Sequence, residues 1–186
     1  EHLFELMKDK SFGRGKVCLW HAKYGGRVMY PFGREIAKQL EESPDYVVSC
    51  LGAGSTLEGV QIPIQDHFKE RKSKKFPSII LAEHELSPLF SRFLPTESSQ
   101  DLSSSFSELG MPYAKVEGLP HLVIGPHYQE INPLLSKKSI RKIERVIQYS
   151  TEDCMAMQEH LMNRDISVGN SSAANVNIAT RLANIG

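Results

Sequence analysis

The residues of this chain best suited to chemistry are the small ones of Gly52-Ala53-Gly54-Ser55-Thr56, which follow the apolar run Val47 to Leu51. Gly52 and Gly54 can take a positive φ and let a ligand approach the main chain with no Cβ in the way. Ser55 and Thr56 place hydroxyls where the first N–H groups of a following helix lack partners within it. Such N–H groups, the positive end of the helix dipole and two hydroxyls together suit a phosphate. A tight strand–helix turn without a ligand is the plainer reading of a lone Gly-x-Gly. The Gly-x-Gly-Ser-Thr-x-x-Gly setting, closed by Gly59, favours the anion site. A bulky residue at Gly54 is then expected to abolish anion binding and leave the fold intact. A second small polar turn, Gly169-Asn170-Ser171-Ser172, offers the hydroxyls of Ser171 and Ser172 to the far end of the same ligand. Helix capping is the plain alternative there.

Both turns depend on elements that present them. Tyr46 to Leu51 reads as a strand, and Pro77 to Glu83 as the next; a helical crossover between them makes a parallel βαβ unit. The intervening helix runs towards Lys75, with Pro63 kinking it or resetting its start. Upstream, Glu1–Lys10 reads as a short amphipathic helix and Val17–Ala22 as a strand. Tyr24-Gly25-Gly26-Arg27 reads as a loop, and Pro31 as the first turn of a helix reaching about Glu42. Downstream, Val146–Tyr149 is a strand. Ser150-Thr151-Glu152-Asp153 starts a helix that continues through Met162. Ile166–Val168 reads as a short strand, and the last helix spaces Ala174, Ile178, Leu182 and Ile185 for burial. In an open parallel sheet, ligands collect at the carboxyl ends of strands, where these turns fall. The expected fold is α/β: three layers, with a mostly parallel sheet flanked by helices, in one domain over residues 1–186. A mobile loop is expected at 95–110, because Ser98–Ser107 holds six serines and no apolar periodicity.

Composition narrows the function. The 186 residues carry a formal net charge of zero with acids and bases interleaved, which argues against a nucleic-acid or membrane-surface footprint. No apolar run is long enough to span a bilayer, and no signal peptide is evident. Cys18, Cys50 and Cys154 are odd in number and contain no Cys-x-x-Cys, as suits the reduced thiols of a cytoplasmic protein. His84 lies between Glu83 and Glu85, but neighbours on a strand face opposite ways, so a solvated loop start fits better than a metal site. His21, His67, His121, His127 and His160 lack ligand-like spacing, and no metal is expected. Lys69 to Lys75 reads as the exposed end of a helix.

In order and spacing, several segments together resemble the fold-type-II pyridoxal-phosphate enzymes, the cysteine synthase and tryptophan synthase β-chain family. Gly52 to Thr56 with Gly59 is similar to that family's Gly-Thr-Gly-Gly-Thr phosphate cup. Pro31-Phe32-Gly33-Arg34-Glu35-Ile36 and Asp45-Tyr46-Val47 resemble its Gly-Pro-Glu-Ile helix and following strand. Ile80-Leu81-Ala82-Glu83 is similar to a strand ending in Val-Glu-Pro, and Gly118-Leu119 to a Gly-Ile-Gly segment. Val168-Gly169-Asn170-Ser171-Ser172-Ala173-Ala174 resembles the closing Gly-Ile-Ser-Ser-Gly-Ala motif. The resemblance covers about residues 21 to 185 and is to the C-terminal part of the family, its large domain. It implies pyridoxal 5'-phosphate as cofactor, held at its phosphate by Gly52, Ala53, Gly54, Ser55 and Thr56. Ser171 or Ser172 would then face the pyridine nitrogen. The implied activity is a lyase or transferase carrying out β-elimination or replacement on a small amino acid.

Departures from the family pattern bear on activity. The Ser-x-Lys-Asp-Arg-like motif that carries the Schiff-base lysine is missing, as is the Ser-Gly-Asn-like substrate loop. Lys8-Asp9-Lys10-Ser11 echoes the first only superficially, so no catalytic residue is identified. Ser55 stands at a cup glycine, and Ala173 at the glycine of the last motif. The chain begins at Glu1 rather than Met and is read as the half of a two-domain enzyme, with an N-terminal domain or partner chain supplying the rest. A homodimer is a further partner candidate. Two alternatives stand beside this: a Rossmann-like nucleotide or S-adenosylmethionine binder, with Glu83 on a ribose, and a non-catalytic interaction or regulatory domain derived from the same family.

Overall fold

The computed structural model describes residues 21–91, 121–123 and 135–184. The sheet is built on an apolar run: Ile79, Ile80, Leu81 and Ala82 are all buried, as a parallel strand covered on both faces demands. This is β2 (Ser78–His84), flanked by β1 (Tyr46–Cys50) and β3 (Ile143–Tyr149) in the order β1-β2-β3. Both pairings are parallel, with Tyr46 opposite Ser78, Cys50 opposite Ala82, and one irregularity at Ile79/Ile80 where β3 joins. Alternation along β2 divides the core. Ile79 and Leu81 pack with Leu51, Leu57, Phe90 and Leu135 on one face. Ile80 and Ala82 pack with Tyr149, Cys154, Ala174 and Ile178 on the other.

Helices cover both faces, so the fold is a three-layer α/β arrangement with an open parallel sheet. They are α1 (His21–Gln39), α2 (Ile62–Glu70), α3 (Lys137–Ile140), α4 (Thr151–Met162) and α5 (Asn170–Ala183). A π-helical turn, Leu57–Gln61, leads into α2. Pro63 lies in the first turn of α2, directly after the π-helical turn. The helix stops at Glu70 rather than Lys75, and Lys72 takes φ +53 just beyond it. Ser150 and Asp153 close a reciprocal capping box on α4, as their spacing indicates.

Two expectations fail in physically informative ways. Tyr24 to Arg27 is helix, not loop, and Pro31 lies inside α1 rather than in its first turn. The glycines serve close approach instead of a turn. A Cβ on Gly33 would lie 2.4 Å from the Gly59 carbonyl oxygen, and one on Gly59 would lie 2.5 Å from Met29 Cβ. Helix α1 can therefore press its backbone against the π-helical turn, which offsets the roughly 1 kcal/mol that each helical glycine costs. Ile166–Val168 is irregular chain, not strand, and follows Asp165 at φ +61. Of the strand expected at Val17–Ala22, His21 and Ala22 are helical; the rest lies outside the described residues, as do the 95–110 loop and the Glu1–Lys10 helix. No helix among the described residues is long and apolar enough to cross a membrane.

Candidate functional site

β1 delivers its chain directly to the first candidate turn. Gly52 and Ala53 bend, half-buried, and Gly54 is buried at φ +93. A Cβ on Gly54 would also sit 2.7 Å from Leu135 Cδ1, so glycine is required twice over. The helical ladder begins at once, with the Gly54 carbonyl accepting the Glu58 N–H at 3.0 Å. The N–H groups of Ser55, Thr56 and Leu57 thus lie ahead of the ladder, at the positive end of the helix. The Thr56 side chain does not cap the π-helical turn that it precedes. Glu58 brings a negative charge close by, but its Oε1 accepts from Ser139 Oγ at 2.7 Å, which ties it to the start of α3.

Gln61 holds this turn on the sheet and is not apparent as a site residue in the sequence. Its fully buried Nε2 donates to the carbonyls of Val47 (2.7 Å) and Ile80 (3.1 Å), one on each of two strands. The only signal for it in the sequence is a glutamine on the apolar face of a helix.

The second turn meets the first at the carboxyl end of β1. Gly169 occupies the cap position of α5 with extended backbone, and no side chain closes it, so neither serine serves as the cap. Ser171 is half-buried and Ser172 exposed. The Cys50 N–H donates to Asn175 Oδ1 at 2.7 Å. Cys50 Sγ lies 3.7 Å from the Ser171 carbonyl and 3.6 Å from the Tyr149 hydroxyl. The last residue of β1 therefore touches α5 within its first turns, two positions before Gly52. Burial pushes the Cys50 thiol up to about 11, against the opposing hydrogen bond with Tyr149. Burial also raises the Tyr149 hydroxyl and the Cys154 thiol. At neutral pH all three stay uncharged and add no negative charge beside the two turns.

Glu83 and His84 end β2 and do not behave as the sequence suggests. Glu83 is buried, and its two oxygens accept the N–H groups of Phe90 (2.5 Å) and Ser91 (3.0 Å). Burial raises its pKa, and those N–H bonds pull it back. A ribose contact would compete with this main-chain bonding. His84 is not a solvated loop start but 1% exposed. Its Nε2 pairs with Thr151 Oγ1 at 2.9 Å, its Nδ1 accepts the Leu86 N–H at 3.1 Å, and its ring stacks on His121 at 3.7 Å. Strand β2 runs one residue further than expected and carries the ring under α4. Among the described residues, no group of three or more His, Cys, Asp or Glu side chains is placed to hold a metal.

The described lysines with visible partners lie at the opposite end of the sheet. Lys75 pairs with Asp45 just before β1, Lys142 pairs with Asp66 at 2.6 Å just before β3, and Lys69 bonds Gln65 at 2.9 Å near the end of α2. The length of β1, about 16 Å at the usual strand rise, separates Lys75 from the glycine turn. Lys8 and Lys10 lie outside the described residues.

A family model described as "Pyridoxal-phosphate dependent enzyme" matches residues 20–186. A sequence search of curated proteins gave no match. Solved structures share the fold. An O-ureido-L-serine synthase superposes with a TM-score of 0.63 at 14% identity, covering 87% of this chain and 42% of its own. A hydrogen sulfide-producing enzyme from Fusobacterium nucleatum gives 0.61 at 21%, covering 97% and 48%. A cysteine synthase from Entamoeba histolytica gives 0.60 at 23%, covering 94% and 43%. The chain thus spans less than half the length of each of these three structures.

Proposed function

The chain belongs to the pyridoxal-phosphate dependent enzyme family, and on that premise we propose that it forms the cofactor-holding half of such an enzyme. The observation that carries this is the meeting of two small-residue turns at the carboxyl end of β1, joined through Cys50. The N–H groups and hydroxyls of Gly52, Ala53, Gly54, Ser55 and Thr56 take the phosphate. Ser171 takes the pyridine nitrogen, ahead of Ser172, because it is the half-buried one and its main chain touches Cys50. A neutral hydroxyl at that nitrogen leaves it largely unprotonated. The helix starts that follow Gly54 and Gly169 fit a ligand with an anionic end and a ring. When bound, pyridoxal phosphate supplies the electron sink for chemistry at the Cα of an amino acid.

The remainder of the enzyme, on a further domain or a partner chain, supplies the lysine and the wall facing the cofactor. The complete enzyme is a cysteine synthase-like lyase or transferase acting on a small amino acid by β-elimination or replacement, and a homodimer is its candidate assembly. The free thiols of Cys50 and Cys154 suit a cytoplasmic setting. Lacking the lysine and the facing wall, the 186-residue chain holds cofactor more weakly than a complete enzyme and turns over none of O-acetylserine, serine or threonine.

Borohydride reduction of the cofactor-soaked chain, followed by mass spectrometry, tests the division of labour. The expected result is no stoichiometric pyridoxyl-lysine and no turnover. A single adducted lysine together with turnover would show that this chain carries its own catalytic group.

A further inference from the structure

We infer that Asn175 and Cys50 are positioning residues that hold the Ser171 turn in register with the phosphate turn. The inference rests on the cofactor reading above and concerns how this chain keeps the two ends of the site at a fixed spacing.

The need for such a device follows from the missing strand. The chain from Ile166 to Gly169 belongs to no strand, so sheet hydrogen bonds do not fix the turn that opens α5. Side chains hold it instead. Gln158 Nε2 donates to the Val168 carbonyl at 2.8 Å, and Cys154 Sγ to the Asn170 carbonyl at 2.9 Å. Cys50 Sγ reaches the Ser171 carbonyl at 3.7 Å, and Asn170 Nδ2 the Leu122 carbonyl at 3.4 Å. Gln158 and Cys154 both lie on α4, so those two bonds fix the turn to a neighbouring helix. Among the described residues, the hydrogen bonds that tie it to the strand carrying the phosphate turn come from Asn175 and Cys50, beside the packing of Val48 and Cys50 against Ala174 and Ile178.

The geometry at Cys50 is specific. The Ser78 N–H bonds the Asp45 carbonyl, so along β1 the polar groups of residues 45, 47 and 49 face β2, and those of 46, 48 and 50 face away. Among the described residues β1 has no strand on that outer side. Asn175 Oδ1 accepts the outward Cys50 N–H at 2.7 Å and so stands in for a strand neighbour. Asn175 lies four residues after Ser171 on α5, hence on the same helix face. One side-chain amide thereby sets both the height of α5 along β1 and the direction in which Ser171 points. The Cys50 thiol adds a second tie to the same turn and, held neutral by burial, remains a donor at physiological pH.

Asn175→Ala should separate the two ends of the site. On the cofactor reading inorganic phosphate needs only Gly52–Thr56, so its affinity should stay unchanged. Pyridoxal phosphate needs both ends, and its affinity should fall about tenfold, the order of one hydrogen bond lost at a half-buried N–H. Asn175→Asp keeps an acceptor and should restore most of that loss. Titrations with both probes, followed by absorbance and calorimetry, give the comparison. Hydrogen exchange checks the linkage without any ligand: in Asn175→Ala the Cys50 amide and those of residues 170–174 should exchange faster. A variant that merely unfolds would lose phosphate as well, and the aspartate variant would not rescue it; that pattern overturns the inference. So does unchanged exchange in Asn175→Ala. If the unsubstituted chain binds both probes and Asn175→Ala binds both equally well, this inference fails and the cofactor reading stands. If the unsubstituted chain binds neither, both fail.

Discussion

Replacing Gly54 by alanine tests the physics of the phosphate turn more sharply than removing any hydroxyl. Two costs act together. At φ +93 an L side chain is in the left-handed region, worth about 1–2 kcal/mol. The new Cβ would meet Leu135 Cδ1 at 2.7 Å, so Leu135 must shift from a packed core position; overpacking of this kind costs about 1–3 kcal/mol. The sum, about 2–5 kcal/mol, translates to a fall in Tm of about 4–20 °C for a chain this size. Thermal and urea unfolding of Gly54→Ala measure it. Adding Leu135→Ala should relieve the clash but not the φ strain, although the cavity left by Leu135 has its own cost. A double-mutant cycle therefore isolates the steric part as a favourable coupling between the two substitutions. Gly54→Ala with unchanged stability, or additive effects in the cycle, would refute the reasoning. The expectation from sequence that a bulky residue here leaves the fold intact does not survive this geometry, so loss of phosphate binding at Gly54 has to be separated from loss of structure.

Other outcomes follow from the same geometry. Gln61→Ala removes two hydrogen bonds between the π-helical turn and the sheet, and should lower unfolding free energy by about 2–3 kcal/mol; an unchanged urea midpoint would contradict that tie. With its pKa near 11, Cys50 holds about one thousandth of its thiolate at pH 8, against about a quarter for an ordinary thiol. Iodoacetamide should therefore label it more than a hundredfold more slowly than a free thiol, with the rate rising up to about pH 11, and labelling at the free-thiol rate would show that Cys50 is not desolvated. Glu83 has its pKa raised by burial, so the folded state holds its proton more tightly than the unfolded state does. Its contribution to stability is fully present below the unfolded carboxylate pKa and is lost as pH rises through the folded value. Glu83→Gln should flatten that part of the stability–pH profile, measured by urea unfolding at a series of pH values, and an unaltered profile would show that Glu83 does not set it.

Much of this architecture is legible where local signals and tertiary demands agree. The apolar run Ile79 to Ala82 needs no context to be a buried strand, and Ser150 with Asp153 encodes a helix start by itself. The glycine turn is equally plain, since Gly54 at positive φ is what its sequence calls for. Where the sequence misleads, a residue type serves a partner distant in the chain. Gly25-Gly26 carries turn chemistry, yet Gly26 and Gly33 exist for the approach of Glu58 and Gly59, which no local pattern announces. Ile166 to Val168 has strand composition, but side chains from Cys154, Gln158 and Cys50 hold the turn that follows in place of a ladder. His84 is polar and flanked by glutamates, and its burial depends on Thr151 and His121, both distant in sequence. Asn175 falls in the same class: an asparagine in a helix whose partner is 125 residues upstream.

The central claim is that one small-residue site at the carboxyl end of β1 holds pyridoxal phosphate by its phosphate and its ring, with no lysine of this chain involved. Titrating the chain with pyridoxal phosphate at rising concentrations of inorganic phosphate tests it most directly. Saturable uptake of one cofactor per chain, displaced competitively by phosphate and leaving no borohydride-stable adduct, is the predicted result. Uptake that phosphate cannot displace, or no saturable uptake at all, would contradict it.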